Sequence, residues 1–252
     1  MNRSSEGDAD AVQALKLGME LGMRFIDTAE MYARGHSEEV VAEAVGEERD
    51  NVFIATKVSA ENLSYDNVLR SCEASLRRLR TPYIDLYQVH WPNTRIPINE
   101  TMRAMDKLVD DGKVRYVGVS NFSRKQTREA QEALSKTDLA ANQVEYSLDQ
   151  RSIEKELLPY CAAEHVTVIA YTPLGRGRIL SRGRDRAGKT LDEVASKYSR
   201  TRAQVALNWL IAKEVVVAIP KAANLEHVKE NAGAVGWKLS SEDEQLINGA
   251  FS

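Results

Sequence analysis

The chain has 252 residues, of which 43% are hydrophobic and 28% charged, and its formal net charge is −3. A chain of this length buries enough surface for a stable core, so we predict one domain over residues 1–252. The weak negative charge gives no electrostatic footprint for nucleic acid or an anionic membrane. No apolar run reaches membrane-spanning length and the first residues lack a secretion signal, so we expect a cytoplasmic protein without membrane partners.

Short apolar strands alternate with longer amphipathic segments along the chain. Their cores are apolar almost throughout, which is typical of parallel strands covered by helices on both faces. Seven strands are predicted, at residues 23–28, 52–57, 85–90, 114–119, 139–144, 167–172 and 215–220. The alternation predicts a parallel α/β sheet, either open and doubly wound or closed into a barrel.

Helices are predicted between the strands, and several have readable starts. Thr201 with Gln204, and Ser241 with Glu244, match the capping box, in which each side chain satisfies a free backbone amide. The predicted helices cover residues 8–22, a segment from Ser37 with Glu38 and Glu39 in its first turn, 64–79 with Ser64 as cap, 201–213, and a segment from Ser241. Cys72 and Cys161 lie in such helical patterns and are expected to be reduced thiols in or near the core.

Four polar residues stand where successive strands end: Asp27, Tyr32, Lys57 and His90. Each alone is more often a turn, surface or core residue. A barrel collects the carboxyl ends of its strands around one mouth, where the catalytic residues of that fold lie. The polar strand ends therefore favour a TIM (β/α)8-type barrel over a doubly wound sheet, whose site is concentrated at one switch point.

The four residue types suit proton transfer to an oxygen. A phenol is a poor acid at neutral pH, and a nearby ammonium favours the phenolate and lowers its pKa. A carboxylate holds the ammonium charged, and a histidine aligns a carbonyl oxygen by hydrogen bonding. The accompanying hydride must come from a cofactor, because no side chain supplies one.

The chain lacks a Gly-x-Gly-x-x-Gly motif, so a dinucleotide must bind in another way. Residues 171–177 leave a strand as a loop with two glycines and Arg176, a composition that suits binding of a phosphate group. The alternative is a surface loop that only connects two elements. Ile219-Pro220-Lys221 runs from the last strand into a helix, a second arrangement that favours anions. Ser120-Asn121 and Gln143 end two middle strands and suit an amide, although Ser120-Asn121 also fits a helix cap.

Several motifs together resemble the aldo-keto reductase family. They follow the family's order through nearly the whole chain: residues 25–32, the Lys57 strand, Val89-His90-Trp91-Pro92, residues 118–122, Gln143-Val144-Glu145-Tyr146 and Ile219-Pro220-Lys221. The resemblance implies a TIM barrel and reduction of aldehydes or ketones by NADP(H), possibly NAD(H). It implies Tyr32 as the acid, tuned by Lys57 and Asp27, with His90 orienting the carbonyl.

The resemblance also implies the cofactor contacts. Ser120, Asn121 and Gln143 would hold the nicotinamide amide, Tyr171 would stack on its ring, and Leu174, Gly175, Arg176 and Gly177 would line the pyrophosphate. The adenosine end would meet Ile219, Lys221, Ala222, Asn224, His227, Glu230 and Asn231. Ala222 and His227 depart from the family's usual Ser or Thr and Arg, which predicts a weaker grip on the 2′-phosphate of NADP.

A second departure lies at the N-terminus, where the family's hairpin and first barrel strand are expected to be missing. A seven-stranded barrel would expose strand edges, so we predict lower stability or weak self-association, with the protein a monomer or a weak homo-oligomer. The predicted partner is a small-molecule carbonyl substrate, and Trp91 is a candidate wall of its pocket, core packing being the alternative.

Three other functions stay open from the residues. Lys57 could act as the nucleophile of a Schiff-base aldolase. The barrel could also be a cofactor-binding sensor with impaired or no catalysis. A metal hydrolase is the weakest alternative, since the four histidines are scattered and form no His-x-His on a strand. We therefore predict no metal site.

Overall fold

The structure is a computed structural model that describes residues 5–183 and 185–251. The chain divides into two compact units, Met1–Gln143 and Val144–Ser252. The single domain expected from the sequence stays a prediction. Within the described ranges, every helix is too short or too polar to cross a lipid bilayer.

The first unit alternates helices with parallel strands. Its elements are α1 (Ser5–Glu20), β1 (Phe25–Asp27), α2 (His36–Val45), β2 (Phe53–Val58), α3 (Tyr65–Leu79), β3 (Ile84–Val89), α4 (Ile98–Asp110), β4 (Val114–Ser120), α5 (Arg124–Ala133) and β5 (Leu139–Glu145), whose last two residues belong to the second unit. These five strands pair in chain order, each parallel to the next.

The register of the first unit explains why polar side chains converge. Lys57 pairs with Gln88, Gln88 pairs with Gly118, and Ser120 pairs with Gln143. Asp27 pairs with Ala55, two positions before Lys57. Because alternate residues of a strand share a face, the polar side chains at these carboxyl ends all lie on one face of the strands.

Among its described residues, the second unit contains two further strands and five α-helices: α6 (Leu157–Ala163), β6 (Thr167–Tyr171), α7 (Arg186–Lys197), α8 (Arg202–Ile211), β7 (Val216–Ile219), α9 (Leu225–Ala232) and α10 (Ser241–Ala250). Strands β6 and β7 are parallel, and Tyr171 pairs with Ile219 at their carboxyl ends. Its core is packed around the fully buried Trp209 and Tyr146, whose rings lie 5.7 Å apart. The described residues thus contain the seven strands predicted from the sequence.

Several local predictions are confirmed and others need correction. The capping box of Thr201 and Gln204 forms at the start of α8. The cap of α10 is Ser240 rather than Ser241, because Ser240 has extended backbone and its hydroxyl accepts from the amide of Asp243. Ser64 stands at the cap of α3 but its side chain makes no capping bond.

Two helices also differ from the prediction at their N-terminal ends. Helix α2 begins at His36, one residue before the predicted Ser37, because the left-handed Gly35 ends the preceding turn. Helix α1 already includes Ser5, the first described residue, whereas the sequence predicted a start at residue 8. Cys72 and Cys161 are fully buried as predicted, and burial raises the pKa of both thiols to about 12. Both are therefore inert thiols at neutral pH.

Candidate active site

The first unit brings Asp27, Tyr32, Lys57 and His90 together. Lys57 Nζ donates to Asp27 Oδ2 over 2.6 Å and lies 5.1 Å from the centre of the Tyr32 ring. The rings of Tyr32 and His90 meet edge to face, with centres 5.5 Å apart and planes at 80°. The four residues come from three strand ends and one loop, as the order of the parallel strands requires.

Lys57 is a charged group in a fully buried position. Its side chain has no exposed surface, and its ammonium is bonded to the Asp27 carboxylate and to the carbonyl oxygen of Thr28 at 2.8 Å. Burial lowers the pKa of Lys57, whereas the charge and hydrogen bond of Asp27 and the charge of Glu38 oppose that shift. Because solvent does not reach the buried ammonium, Asp27 helps to stabilise its charge and to keep the lysine protonated.

His90 is held as a neutral imidazole. Burial, helped by the positive charge of Lys57 and opposed by Glu30, lowers its pKa to about 4. Its carbonyl oxygen accepts from Asn121 Nδ2 at 3.1 Å, and its amide donates to Val58. Its buried Nδ1 atom has no hydrogen-bond partner among the described residues. A neutral imidazole of this kind can donate one hydrogen bond to a carbonyl oxygen.

Ser120, Asn121 and Gln143 form a polar cluster beside this group. Ser120 Oγ donates to the carbonyl oxygen of Gln143 at 2.9 Å and accepts from Asn121 Nδ2 at 3.0 Å. Gln143 Nε2 donates to Asp27 Oδ1 at 2.8 Å. One carboxylate therefore connects the lysine to the cluster expected to bind an amide. The helix-cap alternative is wrong for Ser120 and Asn121, because Ser123 caps α5.

Tyr32 lies on a loop with an unusual backbone. Its side chain is 39% exposed, so the phenol is open to solvent on one side. The next three residues, Ala33, Arg34 and Gly35, have φ values of 50°, 57° and 88°. This left-handed conformation is disfavoured for residues with a side chain, and residues held in such conformations tend to cluster at functional sites.

The second unit contains the glycine loop. Gly175, Arg176 and Gly177 also have positive φ, at 59°, 57° and 85°. The amides of Gly175 and Gly177 are already used in the turn, where they donate to Thr172 and Leu174. The exposed Arg176 is therefore a better phosphate ligand than those two amides. Tyr171 is half-buried, and burial raises its pKa.

The residues after β7 form a second group in this unit. Lys221 and His227 are exposed, Ala222 is half-buried, and Asn231 is buried. Asn224 Oδ1 caps α9 by accepting from the amide of Glu226 at 2.8 Å. The family resemblance also places Ile219 and Glu230 at the adenosine end of the cofactor. Ile219 ends β7, and Glu230 lies in α9, where its carbonyl oxygen accepts from Gln204. One accessible lysine therefore stands beside the N-terminus of a helix, a position that favours anions.

Sequence reasoning missed three contributors near the tetrad. Thr28 supplies the second acceptor for Lys57 through its backbone, for which no sequence signal exists. Glu38 is fully buried, which its predicted place in the first turn of a helix did not indicate. Gln88 is also fully buried, and neither end of its amide has a partner among the described residues. A polar residue two positions before His90 in an apolar strand was the available signal.

Trp91 follows His90 and is 49% exposed. The core-packing alternative for this residue is therefore wrong. Its indole offers an accessible aromatic surface directly after the buried imidazole, where an apolar or aromatic group of a ligand can pack.

Comparison with known proteins identifies the family. The model of the aldo/keto reductase family matches residues 3–250. Methylglyoxal reductase YeaE of Escherichia coli is 41% identical over 240 residues, covering 95% of this chain and 84% of that protein. Glyoxal reductase of Bacillus subtilis is 34% identical over 245 residues, covering 96% and 84%.

Solved structures agree with these matches. The thermostable aldo-keto reductase Tm1743, in complex with the inhibitor epalrestat, is 40% identical with a TM-score of 0.92, covering 99% of this chain and 90% of that one. An aldo/keto reductase of Klebsiella pneumoniae, in complex with NADP and acetate, is 39% identical with a TM-score of 0.92, covering 100% and 88%. The predicted (β/α)8-type fold class is thereby confirmed.

Proposed function

This chain belongs to the aldo-keto reductase family, and on that premise we propose that it reduces small aldehydes or ketones to alcohols with NADPH, taking the proton from Tyr32. The observation that carries the proposal is the buried Lys57 ammonium, which is bonded to Asp27 and lies beneath the ring of Tyr32. A phenol placed beside a fixed positive charge loses its proton more readily than a phenol in water.

The proton transfer follows from this charge arrangement. As the carbonyl oxygen gains negative charge, the Tyr32 hydroxyl gives it a proton, and Lys57 stabilises the phenolate that remains. Asp27 holds the ammonium in place, and the carbonyl oxygen of Thr28 fixes its direction. Because the lysine is fully buried, its charge is poorly screened by solvent and acts strongly on a neighbouring group.

His90 orients the substrate in this proposal. With a pKa of about 4 the imidazole is uncharged at neutral pH, so it donates a neutral hydrogen bond to the carbonyl oxygen. A neutral histidine does not compete with Tyr32 as the acid. The two rings meet edge to face at 5.5 Å between centres, which allows both to reach one oxygen.

The nicotinamide cofactor supplies the hydride when it is bound. The residues of the first unit fit a carboxamide, because Ser120, Asn121 and Gln143 offer a hydroxyl and two amides in one cluster. In the second unit, the exposed Arg176 and Lys221 suit phosphate groups, and Tyr171 offers an aromatic face. We propose these roles, and those of the other residues named after β6 and β7, on the family resemblance.

NADPH is the proposed cofactor, and use of NADH is part of the proposal. Aldo-keto reductases use NAD(P)H, and two neighbouring structures from Klebsiella pneumoniae contain NADP or NADPH. In this chain Ala222 lacks a hydroxyl and His227 lacks the planar fork of arginine, so the 2′-phosphate is held mainly by the point charge of Lys221. We therefore expect a smaller preference for NADPH than an arginine at position 227 would give.

The proposed substrates are small dicarbonyls and aromatic aldehydes. Two similar proteins are named for the reduction of methylglyoxal and glyoxal. The exposed indole of Trp91 supports the aromatic class. Both classes present an electron-poor carbonyl carbon that accepts hydride readily.

The test is NADPH consumption with methylglyoxal, glyoxal, benzaldehyde and a simple ketone, with the alcohol product identified. We expect turnover of at least the dicarbonyls, with one alcohol formed per NADPH consumed. Binding of NADPH without consumption, across the whole panel, would contradict the reductase function. Borohydride treatment with each carbonyl, followed by mapping of any adduct by peptide mass spectrometry, is the control for the aldolase hypothesis. An adduct on Lys57 would support that hypothesis, whereas adducts confined to exposed lysines would not.

A further inference from the structure

The left-handed turn after Tyr32 needs an explanation in the surrounding structure. Ala33 and Arg34 both carry side chains, and both have a backbone conformation that such residues avoid. Within the loop, the amide of Tyr32 donates to Ala29 and the amide of Arg34 donates to Met31. A strained turn persists only where contacts from outside determine its shape as well.

Arg78, on helix α3, makes one such contact. A Cβ atom on Gly35 would lie 2.6 Å from both Cδ and Nε of Arg78, so the arginine stem lies directly against the end of the turn. Arg78 is itself fixed, because its Nε donates to Glu38 Oε2 at 2.6 Å and its Nη2 donates to Ser75 at 3.2 Å. Glu38 is fully buried, so movement of Arg78 would leave a buried charge unpaired.

Glu38 also connects the contact between Arg78 and Gly35 to β2, the strand that carries Lys57. Its Oε1 accepts from Thr56 Oγ1 at 2.6 Å. Thr56 precedes Lys57 in β2, and adjacent strand residues point to opposite faces. The Glu38–Arg78 pair therefore lies on the face of β2 opposite to the Lys57 side chain, and it contacts both the strand of the lysine and the turn of the tyrosine.

We propose that Arg78, fixed by Glu38, is a positioning residue for Tyr32: its contact with Gly35 holds the left-handed turn that presents the phenol to Lys57. The inference rests on the proposed role of Tyr32 as proton donor. Because a displacement of about 1 Å can cost on the order of a hundredfold in rate, a contact on the far side of a strand can control catalysis.

Gly22 provides a matched control for Gly35. Their φ values are 89° and 88°, but a Cβ on Gly22 would meet nothing within 4 Å. Gly22→Ala and Gly35→Ala therefore both place a side chain at nearly the same positive φ, and only the second displaces Arg78. With NADPH and methylglyoxal, we expect Gly35→Ala to lower kcat about tenfold or more with KM unchanged, and Gly22→Ala to keep the wild-type kcat. Equal kcat in the two variants, or a loss confined to KM, would overturn the inference.

Arg78→Lys keeps the charge that Glu38 requires but replaces the planar fork with a flexible stem. Alone, it is expected to lower kcat several-fold with KM kept. In the Gly35→Ala protein it should restore part of kcat, because the lysine stem can yield to the new methyl group. If kcat of the double variant falls by the product of the two single losses, the two residues act independently, and the proposed contact is contradicted.

If Gly35→Ala does not fold, Arg78→Lys alone decides the question, and an unchanged kcat then overturns the inference. Tyr32→Phe separates this inference from the proposed function. Activity that survives Tyr32→Phe refutes the proton-donor assignment itself. Activity lost in Tyr32→Phe, together with equal kcat in the two glycine variants, refutes the role of Arg78 alone.

Discussion

Lys57 donates to Asp27 over 2.6 Å while its own side chain has no exposed surface. Two effects on the lysine therefore oppose each other: burial disfavours the ammonium, and the carboxylate favours it. The second oxygen of the same carboxylate accepts from Gln143 at 2.8 Å. Asp27 thus stabilises the charge on which the proposed proton donor depends, and it also orients a residue proposed to bind the cofactor.

Asp27→Asn removes the main effect that opposes the desolvation of Lys57. The pKa of Lys57 should fall further, so the ammonium is lost at lower pH and the alkaline decline of kcat moves to lower pH. Because a buried charge loses its partner, we also expect a loss of about 3–5 kcal/mol in the free energy of unfolding at neutral pH.

The measurement for Asp27→Asn is kcat against pH, with urea unfolding beside it. Asp111→Asn is the control, because Asp111 pairs with Lys107 on the surface. That variant should keep the wild-type profile, since exposed pairs contribute little. An Asp27→Asn enzyme with an unshifted profile would refute the electrostatic role of Asp27.

His90 predicts a dependence of stability on pH. Its pKa is about 4 in the folded chain against an ordinary value of 6.5, so between these values the unfolded chain binds more protons. Stability therefore rises with pH across this window and falls on acidification, by up to about 3 kcal/mol.

Urea unfolding between pH 4 and pH 7 checks this contribution. His90→Gln should remove the part of the pH dependence that His90 causes. His165→Asn is the control, since His165 is exposed and asparagine tolerates its left-handed backbone, at φ 56°. If His90→Gln and wild type show the same slope, the imidazole is not held neutral by burial.

His227 predicts the cofactor preference. The side chain is exposed in the first turn of α9, near the N-terminal end of that helix. His227→Arg should lower KM for NADPH about tenfold, because a guanidinium binds phosphate with two parallel hydrogen bonds. KM for NADH should stay unchanged, which makes NADH the internal control. An equal effect on both cofactors would refute a specific role at the 2′-phosphate.

Most of the site was predictable because its residues stand at fixed places in a repeating pattern. Lys57 and His90 follow apolar strands, and parallel order brings strand ends together. Glu38 was not predictable in its true role, because its burial depends on Arg78, which lies 40 residues away. A helix face shows which residues turn inward, but it does not show which buried charge meets which partner.

Local backbone conformation was the second feature that could not be predicted from the sequence. The turn after Tyr32 contains Ala33 and Arg34, which give no signal for left-handed conformations, and only Gly35 is typical of one. The cap of α10 was misplaced by one residue because Ser241 with Glu244 matches the capping box, whereas the extended backbone lies at Ser240. Such features are set by tertiary contacts rather than by residue preference.

The most direct test of the account is the rate of hydride transfer from NADPH to methylglyoxal in a single turnover of Tyr32→Phe. Tyr116→Phe is the matched control, because Tyr116 is also an exposed tyrosine. It lies early in β4, away from the carboxyl end of that strand, where Ser120 belongs to the candidate site. The account predicts a loss of about 10²–10⁴-fold for Tyr32→Phe, with NADPH binding retained, and a wild-type rate for Tyr116→Phe. A Tyr32→Phe rate equal to that of Tyr116→Phe would contradict it.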